Sequence, residues 1–148
     1  MQHSQEVAAT VEAWYERMSA GDADGAAALL VDDAETFAIG TQRIGPGRDE
    51  WLESISQMTE MGVRWSSGAL RAWKAGGAGF AVDEITAVVP NGPALPMPMT
   101  AFLVSSDGGY RIFNMHFSWA VPDEVAFEQV DAWRSALGLA RVEEARTK

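Results

Sequence analysis

The sequence predicts an α+β domain in which helices cover one face of a curved antiparallel sheet. Up to residue 61, most apolar residues recur at helical spacing, whereas the segments between residues 63 and 119 alternate with a period of two. Helices that precede a meander of strands usually pack together on that sheet. The length of 148 residues fits a single domain. We expect its core over about residues 4–120 and an added C-terminal helix over about residues 122–138.

The first helix is predicted from Ser4, which can cap its N-terminus, to about Ala20. The apolar stripe of this helix consists of Val7, Val11, Trp14, Tyr15 and Met18. Either Asp22 or Asp24 can then cap a short second helix.

Two further helices follow from the same signals. Asp49 is expected to open a third helix that ends at Gly62. The apolar face of the third helix consists of Trp51, Ile55 and Met58. The last helix is expected to start at Pro122 and Asp123 and to end at Gly138. Its apolar face consists of Val125, Val130, Trp133 and Leu137.

Strands are predicted where apolar and polar residues alternate. A short strand is expected around Phe37 and Ile39. The longer candidates are "VRWSSGALRAWKA", which holds one or two strands, "GFAVDEITAVV", "MPMTAFLVS" and "YRIFNMHFSW". The segment "SDGG" predicts a hairpin between the last two.

Composition excludes several classes of function. The net charge of −10 argues against nucleic acid and against an anionic membrane surface. The absence of cysteine excludes disulfides and thiolate sites, and the two histidines lie far apart, so we expect neither a metal nor a cofactor. No apolar run approaches the roughly 18 residues of a membrane span. The N-terminal segment lacks the features of a signal peptide, and we therefore expect a cytoplasmic protein.

The chain resembles the SnoaL-like branch of the NTF2-like, or ketosteroid isomerase-like, superfamily. The resemblance lies in the order and spacing of four segments, which are "MSAGDADGAAALLVDDAE", "FAIGTQRIGPGRDEWLESI", "GFAVDEI" and "DGGYRIFNMHFS". It implies a cone-shaped, cystatin-like barrel with an internal pocket, and usually a homodimer. Members include isomerases, cyclases, dehydratases and epoxide hydrolases, and also binding or assembly domains, so function must be argued from the site.

The resemblance also implies where a steroid isomerase would keep its catalytic groups. The place of its tyrosine falls on Trp14, that of its general base on Ala38 and that of its oxyanion acid near Ala101. None of these side chains is an acid or a base. Tyr15 is not expected to substitute for the tyrosine, because a shift of one residue turns a helical side chain by roughly 100°. Isomerisation by that mechanism is therefore not expected.

His116 is the first of two remaining catalytic candidates. A histidine can act as a general base near neutral pH. The resemblance implies the opposite orientation, with Phe113, Met115, Phe117 and Trp119 toward the pocket and His116 away from it. Thr100, Asn114, His116 and Ser118 would then lie at or near the contact of a homodimer. His3 is expected to be disordered.

Glu84 is the second candidate. In "AVDEITA" the two adjacent acids face opposite ways, and the resemblance places Glu84 where an assembly domain carries a pocket arginine. Asp83 would then lie on the outer face. A carboxyl group in an apolar wall could serve as a general base or as a hydrogen-bonding handle. The alternative is a carboxylate at the rim that is paired with Arg64 or Arg71, or is simply solvated.

A pocket lined by bulky apolar residues predicts an apolar small molecule as ligand. The residues expected to contact it are Trp14, Met18, Trp51, Ile55, Glu84, Met97, Met99, Met115 and Phe117. Two functions stay open. The first is a ligand-binding domain without catalysis. The second is an isomerase, cyclase or hydratase acting on a hydrophobic molecule by proton transfer, with Glu84 or His116 as base and Trp14 or Tyr15 as donor.

Overall fold

The computed structural model describes residues 1–40, 47–118 and 123–138. Within these residues it confirms the predicted fold class, with helices beside a curved sheet that does not close. The helices are α1 (Gln5–Ser19), α2 (Ala23–Ala27), α3 (Arg48–Glu60) and α4 (Asp123–Ala136). The strands are β1 (Gln2–His3), β2 (Phe37–Ile39), β3 (Arg64–Ser66), β4 (Arg71–Ala75), β5 (Ala78–Val88), β6 (Ala94–Ser106) and β7 (Gly109–Phe117).

The strands are arranged in the order β1-β4-β5-β6-β7-β2, and β3 pairs with the C-terminal end of β5. Every pairing is antiparallel except that of β2 with β7, which is parallel, so the sheet is mixed. The segment "SDGG" forms the predicted hairpin between β6 and β7. Gly108 in this turn has a φ of 87°, a conformation that costs glycine little because it has no Cβ.

Side-chain caps start α1 and α2 but not α3. The Ser4 hydroxyl accepts a hydrogen bond from the Val7 N–H at 3.3 Å. The Asp22 carboxylate accepts one from Gly25 at 2.9 Å and so begins α2. Helix α3 follows Gly47, which provides no side-chain cap, and the prediction that Asp49 caps this helix is wrong. Asp49 instead lies in the first turn, where a carboxylate interacts favourably with the helix dipole.

The N-terminal segment is ordered. His3 in β1 pairs with Trp73 in β4, and the centroids of the two rings lie 5.6 Å apart. The expectation that His3 is disordered is therefore wrong. Pairing with the edge of the sheet and the ring contact together hold this segment in place.

The core lies between the concave inner face of the sheet and α1, which packs against β3, β4, β5 and β7. The buried side chains of the inner face include Ile85, Met97, Met99, Leu103, Ile112 and Met115. By contrast, α4 presents Val125, Val130 and Leu137 to solvent, and the side chain of Trp133 lies outside what the structure describes.

A β-bulge in β7 changes which residues face the core. Asn114 lies opposite Phe102, but Ile112 lies opposite Leu103, which leaves Phe113 as the extra residue. The Phe113 ring therefore contacts Phe102 on the outer face, and the prediction that it points inward is wrong. Trp119, also predicted to point inward, lies outside the described residues.

Candidate functional site

Most residues predicted to line the pocket face the interior. The buried ones are Trp14, Met18, Trp51, Ile55, Met97, Met99, Met115 and Phe117. All belong to one cluster of buried apolar side chains. Such a cluster can be a packed core or the wall of a pocket, so contact with a ligand stays a prediction.

Glu84 does not belong to this group. Its side chain is exposed, whereas Asp83 is only 5% exposed and points to the core. Alternation in β5 explains this orientation, because the buried residues Ala81 and Ile85 lie two positions to either side of Asp83. The prediction that Glu84 faces inward and Asp83 outward is therefore wrong.

One oxygen of the Asp83 carboxylate holds the loop between β3 and β4. Asp83 Oδ1 accepts hydrogen bonds from the backbone N–H of Ala69 and Glu84 at 2.8 Å each, and from that of Gly68 at 3.3 Å. A Cβ atom on Gly68 would lie 2.3 Å from the Glu84 carbonyl oxygen, so only glycine allows the loop to approach β5 this closely. These three donors explain how an acid is tolerated on the inner face.

The other oxygen faces a different environment. Asp83 Oδ2 and the Tyr15 hydroxyl are both buried, and the two side chains interact, but neither atom makes a hydrogen bond of normal length to any residue that the structure describes. Burial raises the pKa of Tyr15 above its ordinary value, and the negative charge of nearby Asp83 raises it further. The phenol therefore stays protonated at neutral pH and can donate a hydrogen bond.

Two indole groups complete the site. The Nε1 atoms of Trp14 and Trp65 are buried, and no acceptor for them lies within the described part of the chain. The two rings meet edge to face with centroids 5.5 Å apart, and Trp14 stacks on Phe117 at 5.9 Å. Ser19 fixes Trp65 beside α1, because its hydroxyl accepts from the Trp65 N–H at 2.8 Å and donates to the Trp65 carbonyl at 3.1 Å.

We call Trp14, Tyr15, Trp65 and Asp83 the interior tetrad. It offers three hydrogen-bond donors and one carboxylate oxygen in an otherwise apolar interior. Of these four residues, the sequence predicts Trp14 as a pocket residue and offers Tyr15 as an alternative donor, but it indicates neither Trp65 nor an inward-facing Asp83. Tyr15 is not expected to replace the isomerase tyrosine because of its rotation on the helix, yet α1 buries both Trp14 and Tyr15. The spacing of Asp83 between Ala81 and Ile85 was the signal that could have revealed its orientation.

The remaining candidate, His116, lies half-buried on the outer face, where it pairs with Thr100 and Ile39. Its neighbours Met115 and Phe117 are buried, which confirms the predicted orientation at this end of β7. Neither His116 nor Glu84 therefore reaches the interior tetrad.

Two surface clefts are also present. One, of about 410 Å³, lies between residues 32–34 and the start of α3, and the other, of about 460 Å³, lies between α1 and the β6–β7 hairpin. Neither is lined by a residue predicted to bind ligand. Among the described residues, no three His, Asp or Glu side chains are grouped as they would be around a metal. No helix in this part of the chain is long and apolar enough to cross a membrane.

Comparison with known proteins agrees with this architecture. The chain belongs to the SnoaL-like domain family, whose model matches residues 7–123. None of the curated proteins is significantly similar in sequence.

Solved structures share the fold at low sequence identity. An NTF2-like protein of unknown function from Pseudomonas putida superposes with a TM-score of 0.70 at 15% identity, over 81% of this chain and 88% of that one. A proposed calcium/calmodulin-dependent protein kinase II association domain from Xanthomonas campestris gives 0.68 at 17%, over 80% and 88%. A proposed dehydratase of the NTF2-like family from Streptomyces avermitilis gives 0.66 at 16%, over 80% and 96%. Such likeness shows the fold alone.

Proposed function

We propose that this protein binds a mostly apolar small molecule between α1 and the inner face of the sheet, with the interior tetrad at its polar end. The main support for this proposal is that each of the four tetrad residues buries a polar atom that makes no hydrogen bond of normal length to the described residues. A buried polar atom without a partner costs roughly 1–3 kcal/mol. Such a group therefore favours a site where a bound molecule or water supplies the missing partners.

Calorimetric titration with 1-adamantanol, a compact apolar alcohol, tests this proposal. We expect saturable binding with one site per chain and a rise in melting temperature. Tyr15→Phe removes one donor without changing the size of the ring, and should weaken binding by about tenfold. Tyr110→Phe is the matched control, because Tyr110 lies near the hairpin end of the sheet and should leave affinity unchanged.

Two results would contradict the proposal. The first is a flat titration with both 1-adamantanol and 2-adamantanone at millimolar concentration. The second is an equal loss of affinity in Tyr15→Phe and Tyr110→Phe, which would place the ligand away from the tetrad.

A second candidate function is an isomerase, cyclase or hydratase that moves a proton on a hydrophobic substrate. One observation favours it, which is that Asp83 and Tyr15 bury an acid–base pair in the same place. Asp83 Oδ2 would take a proton from a carbon next to a carbonyl group. The Tyr15 phenol, kept protonated by its raised pKa, would donate to the carbonyl oxygen as negative charge develops there.

Exchange of the α-protons of cyclohexanone in D2O, followed by NMR, tests the second candidate. Catalysed exchange should fall by about 100-fold or more in Asp83→Asn, because the amide cannot accept the proton. Glu84→Gln removes the same charge from the exposed neighbour and should leave the rate unchanged. Binding of the ketone without faster exchange would leave only the binding function.

We also propose that two copies of the chain associate through the outer face of the sheet. Six ring residues, which we call the outer aromatic row, cross this face from edge to edge. They are His3, Trp73, Phe80, Phe102, Phe113 and Phe37. Phe80 and Phe102 at its centre are 39% and 40% exposed. A contiguous exposed apolar surface of this kind is typical of an interface.

Analytical ultracentrifugation tests the association. Phe102→Ser should raise the dissociation constant of a dimer by about 100-fold or more, as expected for a central aromatic contact. Met61→Ser, at the exposed end of α3, changes a similarly exposed side chain away from the sheet and should leave the dimer intact. A wild-type protein that stays monomeric at high micromolar concentration would contradict the proposal.

A further inference from the structure

The interior tetrad holds a feature that an apolar ligand alone does not explain, which is a buried charge. Asp83 is the one acidic or basic side chain that is buried among the residues described by the structure. A charge in apolar surroundings is costly unless it is paired. Three backbone N–H groups satisfy Oδ1, whereas Oδ2 makes no hydrogen bond of normal length in the described ranges, and the Tyr15 phenol is the neighbouring group that interacts with this carboxylate. Oδ2 can therefore accept a donor on the ligand beside the Tyr15 phenol or in its place.

The surrounding rings also favour a positive group. Trp14, Trp65 and Phe117 contact one another with centroids 5.5–5.9 Å apart, and the Tyr15 ring lies 6.0 Å from Trp14. The faces of aromatic rings attract cations. No lysine or arginine is buried within the described residues, and the net charge of the chain is −10, which draws cations further.

We propose that the ligand of this site is an apolar amine, bound in its protonated form with an N–H donating to Asp83 Oδ2. The inference rests on the proposed binding function and adds the charge of the ligand to it. The indole N–H groups of Trp14 and Trp65 stay available to an oxygen atom of the same molecule. A neutral alcohol leaves the carboxylate charge unpaired, and a carboxylate ligand is repelled by it.

Three probes with one apolar body and different head groups separate these cases. They are 1-aminoadamantane, 1-adamantanol and 1-adamantanecarboxylic acid, each titrated calorimetrically at pH 7 into the wild type, Asp83→Asn and Glu84→Gln. In Asp83→Asn the amide oxygen can still accept the three backbone N–H groups, so the change removes the charge and keeps the loop contact. Glu84→Gln removes an equal charge from the adjacent position on the outer face.

The amine should bind the wild type and Glu84→Gln at least about tenfold more tightly than the alcohol, as expected for a charge-assisted hydrogen bond. In Asp83→Asn this ratio should fall to near one. In the wild type, nuclear Overhauser contacts from the adamantyl protons to the Trp14 or Trp65 indole N–H should place the amine at the tetrad. That measurement decides the matter if Asp83→Asn does not fold.

The other possible results of these titrations contradict either the preference for an amine or the binding function itself. Equal affinity of the wild type for the alcohol or the acid overturns the amine preference and leaves the binding function standing. Binding by none of the three probes overturns both. A preference for the amine that persists in Asp83→Asn, or an amine without contacts to either indole, shows binding to the acidic surface and overturns the inference.

Discussion

The two faces of the central strands use apolar residues for different ends. On the inner face, Met99 and Leu103 of β6 are buried against α1, while on the outer face of the same strand Phe102 is 40% exposed. The inner face thus stabilises the folded chain by removing apolar surface from water. The outer face leaves comparable side chains in water, where they contribute less to the stability of the single chain.

Two local features change the character of these faces. The bulge at Phe113 breaks the alternation of β7, turns an aromatic side chain outward and completes the outer aromatic row. Asp83 follows the alternation of β5 but places an acid on the inner face, where the 67–70 loop supplies two of its three donors. Both features lie where we propose a contact with another molecule.

The largest contrast between the faces should appear in stability. Trp14→Ala removes a fully buried side chain and should lower the free energy of unfolding by about 3–5 kcal/mol. Phe102→Ala on the outer face should cost less than about 1 kcal/mol in the monomer. Urea denaturation at a protein concentration where both variants are monomeric measures the difference.

Trp14→Phe provides a milder change at this residue, which α1 packs against the inner face, if Trp14→Ala does not fold, and it should still destabilise more than Phe102→Ala. Equal losses for inner and outer substitutions would show that the outer row is already covered within one chain. The comparison between the two faces would then fail.

A smaller loss of stability is expected from a change in the 67–70 loop, which donates hydrogen bonds to Asp83. Gly68→Ala forces the loop away from the Glu84 carbonyl, because the new Cβ would lie 2.3 Å from that oxygen. The N–H groups of Gly68 and Ala69 would then leave Asp83 Oδ1, at a cost of about 2–3 kcal/mol for bonds to a charged acceptor.

Ser67→Ala is the matched control, because it changes the exposed neighbour and should alter stability by less than about 0.5 kcal/mol. Urea denaturation of both variants gives the difference. If Gly68→Ala is as stable as the wild type, the loop does not depend on Asp83, and the carboxylate lacks the support that we assign to it.

Regular patterns predicted the fold well. The stripe of α1 and the alternation in β5 to β7 follow directly from the spacing of apolar residues, and the caps at Ser4 and Asp22 follow from side-chain chemistry. The family resemblance rests on the same regular segments. Eight of the nine predicted pocket residues are therefore buried, while their contact with a ligand stays a prediction.

The site was harder to predict, because an acid on the inner face needs partners that lie elsewhere in the sequence. Asp83 follows the alternation of Ala81 and Ile85, but the N–H groups of the 67–70 loop that make an inward acid tolerable are not evident from the strand alone. The bulge at Phe113 has no signal in a continuous run of strand-forming residues. Pairing of β1 with β4 is a long-range contact that two residues of sequence cannot indicate.

The smallest effect is expected from the Tyr15 phenol, which α1 buries. Because the pKa of Tyr15 is raised in the folded protein, the native state keeps a proton that the unfolded chain loses near pH 10. This contribution to stability is complete below about pH 10 and falls by about 1.4 kcal/mol per pH unit above it. Denaturation from pH 8 to 11.5 should therefore show a steeper alkaline decline in the wild type than in Tyr15→Phe, whereas Tyr110→Phe should retain the Tyr15 contribution. Parallel declines in the wild type and Tyr15→Phe would mean that the phenol is solvated, and the tetrad would then lose one of its donors to water.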